Sequence, residues 1–112
     1  MILLVCGGRG FNDWAKFCDA MRGLPVAPTL IIEGDARGAD RLAKTWASLE
    51  GVHCATVPPL WKQHGNAAGG DRNAAMLTLR PDYCLAMPGG SGTADMKRKA
   101  SAAGVPVWAP WG

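Results

Sequence analysis

Three glycines and two hydroxyl side chains fall within six residues at Pro88-Gly89-Gly90-Ser91-Gly92-Thr93. They sit between the apolar run Tyr83 to Met87 and an alanine-rich segment with basic outer positions. Residues of these types at a strand-to-helix turn are suited to gripping an anion. Glycine lets a ligand come close to the backbone. Ser91 and Thr93 can cap the helix that follows or offer hydroxyls to a phosphate. The helix start adds unpaired N–H groups and the positive end of the dipole. A single glycine with a Ser or Thr cap would be an ordinary turn; this density predicts an anion site at Gly89, Gly90, Ser91, Gly92 and Thr93.

Three other stretches share the same character: Cys6 to Asp13, Glu33 to Asp40, and Trp61 to Asn73. Each carries an arginine (Arg9, Arg37 or Arg72), and the guanidinium fork matches phosphate bidentately. Gly7, Gly8, Gly34 and Gly38 are expected to line a base or ribose, with Asn73 orienting sugar or phosphate. Asp13 and Asp40 have two open roles, ribose or arginine partner on one side and first-turn helix acid on the other. Trp61, after Pro58-Pro59, is a candidate stacking surface for a base, whereas Trp14, Trp46 and Met76 read as core. His64 is a lone loop histidine. No His, Cys or Asp cluster has metal-ligand spacing and no GxSxG elbow is present, so neither metal nor cofactor is expected.

The elements that must position these loops follow from the apolar pattern. Five short apolar runs recur at Ile2–Cys6, Thr29–Ile32, Val52–Val57, Tyr83–Met87 and Val105–Trp108. Between them, Phe11–Met21 and Ala39–Leu49 place apolar residues three and four apart, the mark of a one-faced helix. Asn66–Leu79 and Thr93–Ala103 are further helical segments. Strands alternating with helices require parallel βαβ units, and near-continuous apolar strands fit a sheet covered on both faces. The expectation is a single three-layer Rossmann-like α/β domain over 1–112, with a mainly parallel sheet of about five strands. In such a sheet all four loops share the rim at the strands' carboxyl ends, where ligands sit.

Composition narrows the partners. Charged residues make up 19% and the net charge is +3, with Lys97-Arg98-Lys99 the only basic run; nucleic acid is therefore a weak expectation. Cys6, Cys18, Cys54 and Cys84 show no CxxC spacing and read as reduced thiols. No apolar stretch reaches membrane length and Ile2–Cys6 is too short for a signal segment, so a cytoplasmic protein with no membrane partner is expected. The C-terminal Trp108 and Trp111 either form a self-association patch or fold back on the sheet edge.

The strings GGRGFND, EGDARGADRLA, HGNAAGGDRNAAM and MPGGSGTADM, in that order, resemble the YspA/YpsA-related branch of the SLOG superfamily. That superfamily also holds the LOG-type phosphoribohydrolases and the DprA/Smf proteins. The resemblance spans nearly the whole chain and implies a Rossmann-like fold with a site for a nucleotide-like small molecule. LOG-like relatives form dimers, which makes a homodimer the expected assembly. LOG enzymes cleave the N-glycosidic bond of nucleoside monophosphates with a PGGxGTxxE motif, whose glutamate works with an arginine of the preceding helix. Arg72, with Met76 in RxxxM form, matches that arginine, but Met96 stands where the glutamate belongs. Asp95 comes one residue early, a turn of about 100° on a helix. The expectation is a binder that senses or sequesters its ligand. The alternatives are a nucleotide N-glycosidase using Arg72 with Asp95, Asp13 or Asp40, and single-stranded DNA binding as the DprA kinship implies.

Overall fold

Strand β1 (Ile2–Cys6) is apolar throughout because both of its faces are covered. Leu3 and Val5 join Phe17, Met21, Ile31 and Leu85 in one core layer, while Leu4 and Cys6 join Ile32, Met76, Cys84 and Met96 in the other. The computed structural model describes residues 1–112. The chain continues through α1 (Trp14–Arg22), β2 (Leu30–Glu33), α2 (Ala39–Glu50), β3 (His53–Thr56), the short α3 (Trp61–His64) and a single 3-10 turn at Gly65–Ala67. It ends with α4 (Ala68–Leu77), β4 (Tyr83–Ala86), α5 (Ser91–Ala102) and β5 (Val107–Trp108).

The sheet runs β3-β2-β1-β4-β5 and every pairing is parallel. Leu4 pairs with Ile32 on one side and Cys84 on the other, making β1 the central strand. From β1 the chain winds outward to β3, with α1 and α2 lying on one face, then returns to β4 with α4 and α5 on the other. The reversal between β1 and β4 is the topological switch point, where open α/β sheets place their crevice. This is the three-layer Rossmann-like architecture that the alternation predicts.

Several boundaries differ, each for a local reason. Helix α1 begins at Trp14 rather than Phe11 because Asp13 caps it, accepting the Lys16 N–H at 3.0 Å. The helix expected over 66–79 is shorter: residues 66 and 67 belong to the 3-10 turn, and α4 runs from Ala68 to Leu77. Helix α5 starts two residues early, at Ser91. Strand β5 keeps only two residues, since Pro106 has no N–H to give the ladder. Trp14, expected in the core, is exposed on the outside of α1, and Leu49 at the end of α2 is 71% exposed. Trp46 is half-buried and Met76 fully buried. All four cysteines are free thiols; Cys6 and Cys84 are buried, and Cys18 and Cys54 half-buried.

The C-terminal segment folds back. Trp108 packs on the α1 side of the core. The Trp111 indole N–H donates to the Lys16 carbonyl at 3.2 Å, and the Lys16 ammonium lies 5.5 Å from its ring centroid. No helix is long and apolar enough to cross a membrane.

Phe17 is the largest side chain with no exposed surface. Phe17→Ala is expected to lower unfolding free energy in urea by about 3–5 kcal/mol. Leu49→Ala, at the exposed end of α2, should stay within about 0.5 kcal/mol of the parent.

Candidate functional site

The loops after β1, β2 and β4 meet backbone to backbone above the central strand. The Gly8 N–H donates to the Pro88 carbonyl at 2.8 Å, and the Gly8 carbonyl accepts from Phe11 at 3.1 Å and Ala39 at 3.3 Å. A methyl group at Gly89 would stand 2.7 Å from the Gly8 nitrogen, and one at Gly38 would strike the Gly8 carbonyl. Gly38 also has φ +78°, a conformation costly for any residue with a Cβ. Gly7 is closed in by Ala39 and Met87. These glycines join the loops to one another.

Gly90 and Gly92 are different. A methyl at either would meet no protein atom within 4 Å. Both line a cleft of about 630 Å³ with Gly8, Arg9, Trp61, Gly70, Arg72, Asn73, Ser91 and Asp95. The N-cap of α5 is Gly90 and no side chain caps the helix, so its first-turn amides have no side-chain acceptor. Ser91 and Thr93 therefore do not cap. Ser91 faces the cleft, while Thr93 is buried, with its hydroxyl beneath Gly89.

Arg72 enters this cleft from α4 in a fixed pose. Its Nε donates to Asn73 Oδ1 at 3.1 Å and its Nη1 to the Gly34 carbonyl. Gly34 has no side chain because the guanidinium occupies that space. Asn73 is buried and donates through Nδ2 to the Gly92 carbonyl at 3.2 Å and to Asp95 Oδ2 at 3.0 Å. Asp95 in turn receives Arg98 at 2.6 Å and Lys99 at 2.9 Å, and Lys99 also reaches the Gly70 carbonyl at 2.9 Å. Partial burial pushes the Asp95 carboxyl up, but the hydrogen bonds from Asn73 and Lys99 and the charges of Lys99 and Arg98 outweigh it and hold it below the usual carboxylate range. Asp95 is thus an ionised group bound to three partners, poorly suited to giving up a proton. Two of the three residues of the basic run, Arg98 and Lys99, are engaged in these contacts.

Asp95, expected to point about 100° away from the site, instead borders it. Helix α5 turns Met96 into the core, with no exposed surface, and brings Asp95 to the cleft. With the helix starting at Ser91, it is residue 96 that meets Cys84 and Ala86 on the sheet.

Asp40 is buried under the Glu33–Gly38 loop rather than facing the cleft. Its Oδ2 accepts the Gly34 and Ala36 N–H groups, each at 3.2 Å. Burial pushes its carboxyl up, against the opposing pull of the Ala36 N–H and the Arg72 charge, to about 6. Arg9 and Arg37 are exposed and form no salt bridge. Asp13 is occupied as the α1 cap, away from the cleft. His64 pairs with Asp71 at 3.1 Å. Asn66, Gly69 and Gly70, which lie in the Trp61 to Asn73 stretch but were given no individual role, join the lining from the 3-10 turn and the first turn of α4. No three His, Cys, Asp or Glu side chains gather in a way that could hold a metal ion.

The family model for YspA, cpYpsA-related SLOG proteins matches residues 1–64, which carry the first two glycine loops and β1 to α3. The chain belongs to that SLOG family. It is also similar to the "Gene 61 protein" of Mycobacterium phage D29, 36% identical over 118 residues that take in 94% of this chain and 92% of the phage protein. No solved structure matches it. The family match stops before the Pro88 loop, while the phage protein aligns over nearly the full chain.

Two outcomes follow from the site's architecture. Met96→Glu, which restores the PGGxGTxxE pattern, should not create a hydrolase. It should bury a charge in the core and lower stability in urea by at least about 3 kcal/mol. Asp40 titrates higher in the fold than in the unfolded chain, so its contribution to stability is full below pH 3.8 and lost as pH rises through about 6. Asp40→Asn keeps an oxygen for the two loop amides. Between pH 4 and 7 the parent should lose about 2 kcal/mol relative to this variant in urea unfolding.

Proposed function

We propose that this SLOG protein binds a nucleotide or nucleotide-derived ligand, sensing or sequestering it without cutting it. One observation carries the reading. Gly90 and Gly92 are small although no protein atom needs them to be, and they stand at an uncapped helix start on a cleft that also holds an immobilised arginine. Gly92 lies inside α5, where a glycine costs about 0.5–1 kcal/mol relative to alanine. A phosphate seated against the backbone accounts for its presence. In this reading the amides of Gly90 to Thr93 and the Ser91 hydroxyl hold the phosphate, Arg72 neutralises it, and Asn73 fixes Arg72. Arg9 closes the cleft opposite, and Trp61 stacks on the base. Gly7, Gly8, Gly34, Gly38, Gly89 and Asp40 build the loops that form the wall.

Hydrolysis is the second reading, and the carboxylate of Asp95 on the cleft favours it. Against it, Asp95 is already bound by Asn73, Arg98 and Lys99. A homodimer, carried over from LOG-like relatives, remains part of the proposal, and the tail that folds back on Lys16 leaves Trp111 partly exposed. DNA binding has the least support, because Arg98 and Lys99 of the single basic run are paired within the protein, with Asp95 and the Gly70 carbonyl.

The deciding experiment is equilibrium dialysis against mononucleotides, NAD, ADP-ribose and cyclic nucleotides, with mass spectrometry of both chambers. Gly92→Ala should fold as well as the parent or up to about 1 kcal/mol better and yet weaken binding at least about 10-fold, a cost of about 1.4 kcal/mol. Arg72→Ala should weaken it about 10- to 100-fold, as for a lost charged hydrogen bond. Unchanged affinity in both variants would refute the site. Free base that appears with the parent and vanishes with Asp95→Asn would favour the hydrolase.

A further inference from the structure

A second lobe of about 310 Å³ adjoins the cleft, and Arg9, Trp61 and Arg72 border both. The second lobe adds Arg37, Pro58 and Pro59. Three guanidiniums thus surround one small hollow whose lining carries a single acid, Asp35. Neither Arg9 nor Arg37 has a salt-bridge partner, and Arg72 is bound only through neutral oxygens. Unpaired cations on one hollow repel one another, and an anion between them removes that repulsion.

The loop that presents Arg37 is built from beneath. Buried Glu33 accepts the Asp35 N–H at 2.9 Å, and buried Asp40 accepts the Gly34 and Ala36 N–H groups. Asp35 is held at φ +62°, an uncommon backbone state for a residue with a Cβ. Two buried carboxylates and a left-handed turn therefore set the direction of the chain immediately before Arg37.

We infer that the lobe bordered by Arg9 and Arg37 is a second phosphate site, and that the ligand carries two phosphoryl groups separated by a ribose. This rests on the proposed phosphate grip at Gly90 to Thr93. One phosphoryl group sits at the start of α5 and the other in the Arg37 lobe, with the nucleoside between them against Trp61. Nucleoside 3′,5′-bisphosphates and phosphodiester-linked dinucleotides have that layout. A mononucleotide fills only the first lobe, and a nucleoside diphosphate keeps its second charge next to its first.

Isothermal titration at fixed ionic strength separates these cases, using AMP, ADP, adenosine 3′,5′-bisphosphate and the linear dinucleotide pApA with the parent, Arg37→Ala and Gly92→Ala. The bisphosphate, the dinucleotide or both should bind at least about 10-fold tighter than AMP. Arg37→Ala should erase that gain while moving AMP by less than about twofold. Gain with the bisphosphate alone identifies a mononucleotide carrying two phosphates, and gain with pApA alone a dinucleotide; either supports the second site. Equal weakening of all four ligands by Arg37→Ala would reduce Arg37 to general attraction and overturn it, as would no weakening at all. An Arg37-dependent gain confined to ADP overturns the ribose spacing. If these ligands bind and Gly92→Ala weakens them but Arg37→Ala does not, the second site alone fails. If none binds, the first site and the second fall together.

Discussion

Everything on the rim depends on three backbones approaching Gly8 without side chains between them. The loops after β1, β2 and β4 hydrogen-bond at that point, and a single methyl at Gly38 or Gly89 would part them. Parallel strands end with their carbonyls and loops at one edge, so a chain of this topology always brings such loops near each other. Near is not enough to make a cleft with defined walls. The close contact at Gly8 converts three flexible connections into one surface, and the fourth loop joins it through Arg72, whose guanidinium fills the space Gly34 leaves open.

Charge is layered across that surface. Carboxylates lie beneath it, Glu33 and Asp40 bonding to loop amides and Asp95 gathering Asn73, Arg98 and Lys99. Guanidiniums lie on top, at Arg9, Arg37 and Arg72. The acids that might have served as proton donors are thus largely engaged in holding backbone and cations in place. The arrangement suits attraction and retention of an anion better than cleavage of one.

How much of this could be read in the sequence depended on the range of the interaction involved. The five strands and the layered architecture were legible because apolar runs and helical spacing are local signals. The cleft residues around Pro88 and Arg72 were legible because glycine density and residue type are local too. The roles within the glycine set were not. Gly89 and Gly90 are neighbours with the same letter, yet one is packed against Gly8 and Thr93 and the other faces open space. The same limit explains Asp95 and Met96, whose directions depend on where α5 starts, and α5 starts two residues before the segment expected from its composition. Asp40 read equally as a helix acid and as a ligand group, because its bonds to Gly34 and Ala36 form only when the loop curls over it. Trp14 showed the opposite failure: helical spacing put it on the apolar face, but the sheet beneath α1 was already filled by Phe17 and Met21.

The division of the glycines has an evolutionary consequence. Positions 7, 8, 34, 38 and 89 hold the scaffold together, whereas 90, 92, 37 and 61 face open space or solvent and take no part in that packing. Change at the first group is filtered by folding before any ligand is met. At the second group no such packing filter acts, so single changes there leave the protein standing. In a scaffold with a relative in a phage, this separation lets the rim drift in single steps while the fold stays fixed.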